Sequence, residues 1–169
     1  RADSLPSDWS IQKAGELCVI KTGHTPSRSE DDYWGGEIPW IAIHDLTGLE
    51  ANEIQSTEEQ ITEEGLANSG AKLLPEGTLV LCRTGSVGAS AIIEEEMATD
   101  QSTVSFECDS DRLNPYYLMY VFEFAQPQLE RLSIGSTHDS IQLDFFPSMQ
   151  IPTPDIGEQR KIASILYNT

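Results

Sequence analysis

The stretch Tyr33-Trp34-Gly35-Gly36-Glu37-Ile38-Pro39-Trp40-Ile41 decides how this chain folds. From Glu37 to Ile43 apolar residues dominate, so the segment reads as a β-strand. Pro39 has no N–H to give a ladder, which puts the strand at a sheet edge or makes its first residues irregular. Trp34 and Trp40, beside Ile38 and Ile41, read as core or loop anchors; stacking on bases or sugars is the alternative. His44-Asp45-Leu46 then turns the chain away, and no nucleophile motif accompanies that His–Asp pair.

Upstream, Leu17-Cys18-Val19-Ile20 is an apolar run suited to a strand, and the turn formers from Lys21 to Ser27 make a loop after it. Downstream, Ser56-Thr57-Glu58-Glu59 offers N-cap chemistry for a short helix with Ile61, Leu66 and Ala67 on its apolar side. Gly65 and Asn68-Ser69-Gly70 keep that helix short. Strands are expected from Thr78 to Cys82, from Ala89 to Ile93 and from Thr103 to Phe106. Asn114-Pro115 is a helix start, cap then proline, opening a helix through Phe124 that Pro127 kinks or restarts. Ile151-Pro152-Thr153-Pro154 reads as a semi-rigid connector. A helix follows from Asp155 or Gly157, with Ile162, Ile165 and Leu166 on one face. It is still apolar on one side at Thr169, as if the chain continued.

The length of 169 residues suits one domain with a real core. Apolar residues are 38%, low for a globular chain, but they cluster periodically. No segment approaches the ~18 continuous apolar residues of a membrane helix. No charged-then-apolar leader stands at the start. Cys18, Cys82 and Cys108 fit neither a disulfide framework nor a zinc pattern, which suggests reduced, buried thiols in a cytoplasmic protein.

Charge is the awkward quantity. Ten Lys and Arg against 28 Asp and Glu give −18, the wrong sign for approaching phosphates. A salt-adapted host, a DNA mimic, or a partner with the complementary basic surface would each account for it. The distribution is uneven. Residues 11–29 hold Lys13, Lys21 and Arg28 against Glu16, and residues 65–92 hold Lys72 and Arg83 against Glu76. Acids gather instead in runs such as residues 50–64 and Glu94-Glu95-Glu96, which read as solvated faces because no metal-ligand spacing fits them. A local DNA face inside an acidic protein is therefore possible.

Taken in order, these segments resemble a known family. The matching stretches are Gly23-His24-Thr25-Pro26-Ser27, the Tyr33 to Ile41 block, Ser69-Gly70-Ala71-Lys72-Leu73-Leu74-Pro75, Arg83-Thr84-Gly85-Ser86-Val87-Gly88, and Ile151-Pro152-Thr153-Pro154 with Glu158-Gln159-Arg160-Lys161-Ile162-Ala163. The ordered set is similar to the target-recognition domains of type I restriction–modification specificity (S) subunits. One departure is His24, where that family commonly has a second glycine. The resemblance implies an α/β globular domain, in the α+β sense of mixed or antiparallel strands, followed by the start of a long C-terminal helix. It divides the chain into a recognition domain, 1–150, and a connector with the beginning of a spacer helix, 151–169. Ile162, Ile165 and Leu166 would then pack against another helix. The implied partners are double-stranded DNA, methyltransferase (M) subunits and through them the restriction (R) subunit, and a second recognition domain or second copy of the chain. No membrane, metal or cofactor is implied.

Three loops are candidates for DNA contact, each with a plain structural alternative. In residues 22–28, with Lys21 beside them, His24, Thr25, Ser27 and Arg28 can donate to phosphates or base edges. In residues 83–88, Arg83, Thr84 and Ser86 stand among glycines that let backbone N–H groups approach a phosphate, though the P-loop ending is missing. In residues 135–142, Ser136, Thr137, His138 and Gln142 suit hydrogen bonding in a groove. Lys72 adds a basic group. Asn114-Pro115-Tyr116-Tyr117 resembles the Asn-Pro-Pro-Tyr motif of amino-group methyltransferases, but it lacks the second proline and is fully explained as a cap. The sequence therefore points to a non-catalytic DNA-reading module. An acidic DNA mimic that blocks restriction complexes is the alternative.

Overall fold

The computed structural model describes residues 5–133 and 140–168. Its elements run β1 (Ser10–Lys13), α1 (Ala14–Leu17), β2 (Cys18–Thr22), β3 (Trp34–Ile41), α2 (Ile43–Thr47), β4 (Glu53–Ile54), β5 (Glu59–Ile61) and α3 (Glu63–Ala67). Then come β6 (Leu79–Cys82), β7 (Ser90–Ile93), β8 (Ala98–Thr99), β9 (Thr103–Cys108), α4 (Pro115–Phe124), α5 (Gln126–Ser133), α6 (Phe145–Ser148), β10 (Gln150–Thr153) and α7 (Ile156–Tyr167). Among the described residues the strands form three sheets, in orders β2-β9-β6-β7-β4, β5-β3-β8 and β1-β10. The mixed α/β architecture with a C-terminal helix is the one expected.

The five-stranded sheet is covered on both faces, and the sequence of β6 shows why. Leu79 and Leu81 point to one apolar cluster with Val104, Phe106, Leu118 and Phe122. Val80 and Cys82 point to another with Ile41, Ile54, Ile93 and Met97. Alternating side chains of a strand face opposite ways, so a strand buried twice must be apolar at every position. Helices α4, α5 and α6 supply Phe122, Leu129 and Phe146 to the first layer.

Three local expectations change, and one is decided between its alternatives. β3 is the middle strand of its sheet, not an edge, and its first residues are the irregular ones. Its register shifts between Trp34 and Ile38, and its parallel pairing with β8 begins only at Trp40, so Pro39 leaves no ladder bond unmade. The helix expected at Ser56 starts later. Glu59–Ile61 pairs with β3, and the cap is Thr62, whose hydroxyl accepts from Gly65 N. Thr57 instead holds β3, accepting from Trp40 N at 3.1 Å. Leu17 closes a short helix, and the strand expected from it begins at Cys18. Finally, Ile151-Pro152-Thr153 is a strand rather than a connector, paired with β1.

Other readings hold. Asn114 Oδ1 accepts from Tyr117 N at 3.0 Å, with Pro115 in the first turn, and Tyr117 is buried with its hydroxyl donating to Pro152 O. Helix α5 restarts the chain at Gln126-Pro127. Cys18 and Cys82 are buried, Cys108 is half-buried, and all three are free thiols. Burial pushes the Cys82 thiol up to about 12. Asp155 caps α7, accepting from Gly157 N and Glu158 N. That helix turns Ala163 and a wholly buried Gln159 inward. Gln159 accepts from Asn114 N and donates to the carbonyls of Arg112 and Pro154, each at 2.9 Å. Ile162 packs on the core, while Ile165 and Leu166 are exposed.

Candidate nucleic-acid interface

Antiparallel pairing brings separate loops to one end of the large sheet. Thr22 ends β2 opposite Val104, and Cys82 ends β6 opposite Thr103, so the exits of β2 and β6 flank the entrance to β9. Residues 22–28, 83–88 and the turn at 100–102 therefore lie side by side. The described part of the third loop joins them. Thr84 bridges to Ser140, Ile141 N donates to Arg83 O at 2.8 Å, and Arg83 Nη1 donates to Ile141 O at 3.1 Å. Gln142, next along, is exposed. Ser136, Thr137 and His138 lie outside the described residues.

The loop at 22–28 is pinned by both tryptophans. Trp40 Nε1 donates to His24 O and Trp34 Nε1 to Ser27 O, each at 3.1 Å, and the two rings meet edge to face at 5.1 Å. The anchor reading of Trp34 and Trp40 stands. Arg28 lies over the Trp34 ring at 3.6 Å and donates twice to the Glu59 carboxylate, at 2.5 and 2.8 Å. That bond holds the Glu59 carboxyl below its ordinary value and raises the guanidinium. Lys21 is paired too, with Glu107 at 2.7 Å. Two cations counted toward a basic patch are thus neutralised by acids distant in sequence. Ser27 and His24 are exposed, and Gly70 lies against the His24 ring. Lys72 is exposed nearby in sequence.

Gly23 is required by closeness. A Cβ built there would stand 2.0 Å from Thr99 O and 2.4 Å from Asp100 O. The loop at 83–88 needs its glycines for conformation, with φ of +72° at Gly85 and +96° at Gly88. Gln126 of α5 clamps it, Nε2 donating to Val87 O at 2.7 Å. Ser86 is exposed at its tip, Thr84 is half-buried, and Arg83 is half-buried with its Nε unpartnered among the described residues.

The family comparison follows this geometry. Residues 6–168 match the family described as the type I restriction modification DNA specificity domain. The chain belongs to that family. It is 32% identical over 96% of its length to the MjaIX specificity subunit of Methanocaldococcus jannaschii. It is 28% identical over 90% to the EcoR124I/EcoR124II specificity subunit of Escherichia coli. In each case it spans 38% of the relative. Its fold is similar to the HsdS subunit from Thermoanaerobacter tengcongensis, with a TM-score of 0.73 and 18% identity, covering 96% of this chain and 37% of that one.

Within this DNA specificity domain two residues escaped the sequence reading. Asp100 is buried in the turn before β9, where Oδ1 accepts from Ser102 N and Oδ2 from Ser102 Oγ. Burial pushes its carboxyl up, and the Ser102 bonds oppose that. An Asp-x-Ser between two apolar runs is a recognisable turn signature. Gln126 carried no signal at all, because its partner is a carbonyl 39 positions away. The domain offers no metal centre among the described residues, since no group of three potential ligands occurs there. No described helix is long and apolar enough to cross a membrane. His44 is exposed and contacts Glu58 Oε2 at 3.1 Å, while Asp45 caps backbone N–H groups at Ala42 and Glu58.

Proposed function

We propose that this chain reads one half of a split target in double-stranded DNA, as the non-catalytic recognition module of a cytoplasmic type I restriction–modification complex. The supporting observation is the convergence of residues 22–28, 83–88 and 140–142 at one end of a single sheet. His24, Thr25, Ser27, Arg28, Lys72, Arg83, Thr84, Ser86 and Gln142 are its described contact candidates, with Ser136, Thr137 and His138 beyond them and Lys21 at the margin. Phosphate contacts set position and contacts to base edges set preference. With Lys21 and Arg28 ion-paired, direct readout by small polar groups carries more of the load than bulk charge does. M subunits, and through them the R subunit, would supply methylation and cleavage without any cofactor on this chain. The reading unit comprises residues 1–150 together with the rest of β10 and the first turns of α7, and the end of α7 leads into a spacer. Exposed Ile165 and Leu166 are its surface for a helix from a second recognition domain or second copy, while Ile162 of the same helix packs on this domain's own core.

The net charge of −18 favours one other reading, an acidic DNA mimic. Selection from a randomised duplex pool, at low and then high salt, separates the two. Enrichment of a motif of about three to five base pairs supports the reader. No enrichment, with competition for DNA binding by an assembled methyltransferase complex, supports the mimic and sinks the reader.

A further inference from the structure

The turn at 100–102 is wedged between two candidate loops, and its tip carries a residue that no motif marked. His24 N donates to Thr99 O at 2.9 Å on one side, and Arg83 N donates to Ser102 O at 2.9 Å on the other. The turn cannot drift. Asp100 N donates to Ile41 O, the Asp100 carboxylate holds Ser102, and Thr103 Oγ1 donates to Asp100 O. Between them, Gln101 is exposed. Its Oε1 accepts from Thr25 Oγ1 at 2.7 Å, which fixes the amide plane by a residue of the neighbouring loop. Among the described residues nothing takes its Nε2 donors. Asp100 is the sole acid from Ala98 to Phe106, and its carboxylate is turned inward, held by Ser102.

We propose that Gln101, oriented by Thr25, is a base-reading side chain of this domain that recognises the major-groove edge of an adenine. This deepens the half-site reading above and rests on it. A glutamine amide matches adenine with Nε2 donating to N7 and Oε1 accepting from the N6 amino group. The Thr25 hydroxyl occupies one lone pair of Oε1 and leaves the second for that amino group. A side chain held before binding loses less rotamer freedom than a loose glutamine would. Thr25 is therefore a positioning residue and Gln101 the contact.

The test uses the specificity subunit assembled with its methyltransferase subunits and the same randomised duplex pool. Q101A is expected to lose preference at one A·T position of the half-site, by roughly 5- to 150-fold, and to keep it elsewhere. T25V should weaken preference at that same position with an unchanged melting temperature. Replacing that adenine by 7-deazaadenine, which removes N7, should weaken binding of the parent and leave Q101A indifferent. Equal loss at every position, or no change, overturns the proposal while the parent's enriched motif keeps the half-site reading intact. A parent that enriches nothing overturns both.

Discussion

Two candidate loops at the same end of the large sheet are built by opposite means. Residues 22–28 are held by side chains: two indole N–H groups, a bidentate ion pair, and a guanidinium over a ring. Residues 83–88 are held by backbone, with two glycines at positive φ and one clamp from Gln126. In the first loop Thr25 and Arg28 bond to partners within the protein, while His24 and Ser27 stay exposed. The second keeps Ser86 outward because glycine geometry and Val87, buried beneath, do the holding. Rigidity and available chemistry are in competition wherever a loop must supply its own anchors.

The largest effect expected is at the side-chain-held loop. W40A removes a ring only 2% exposed and the donor to His24 O, and should lower unfolding stability in urea by about 3–5 kcal/mol. A loss under about 1 kcal/mol would show that the tryptophan does not anchor the loop. G88A comes next. Its Cβ would stand 1.7 Å from Gln126 Oε1 at a φ of +96°, and a cost of about 1–3 kcal/mol is expected. Smaller still, Q126A should cost about 1 kcal/mol and speed amide exchange across 83–88 but not across 22–28. Equal acceleration in both loops would erase the contrast between them.

The smallest effect concerns the exposed Arg28–Glu59 pair. The folded Glu59 carboxyl lies below its ordinary value, chiefly because Arg28 donates to it. Its contribution is therefore present above the ordinary glutamate range and is lost as pH falls through the lowered value. For a pair this exposed the contribution is below about 1 kcal/mol. E59Q should flatten that part of an acid-unfolding curve. It should also release Arg28, steepening the salt dependence of DNA binding by up to about 0.9 in slope. An unchanged slope would keep Arg28 a structural residue even when unpaired.

Much of the fold was legible because its signals are local. The Leu79–Cys82 strand, the Asn114 cap and the Asp155 start all depend on near neighbours. The failures share a cause. Ser56 to Glu59 carries genuine capping chemistry, yet tertiary pairing with β3 claims Glu59–Ile61, and Thr57 caps a strand instead. Pro39 left an edge and an irregular start both open, because a proline cannot say how far the neighbouring strand extends, and the irregular start is what the structure has. At the site, the loops were legible but not their charge state. Glu59 and Glu107 stand 31 and 86 positions from the cations they pair with.

The buried Gln159 has a consequence for anyone recombining such modules. Its amide closes three backbone groups, one on each of Asn114, Arg112 and Pro154, so the first turns of α7 belong to the body that precedes them. A chimera joined at residue 154 would import a foreign helix and leave those groups depending on whichever residue arrived at position 159. The seam for exchange lies beyond Tyr167, whose ring still meets Tyr116 edge to face at 6.0 Å and whose hydroxyl donates to Glu53.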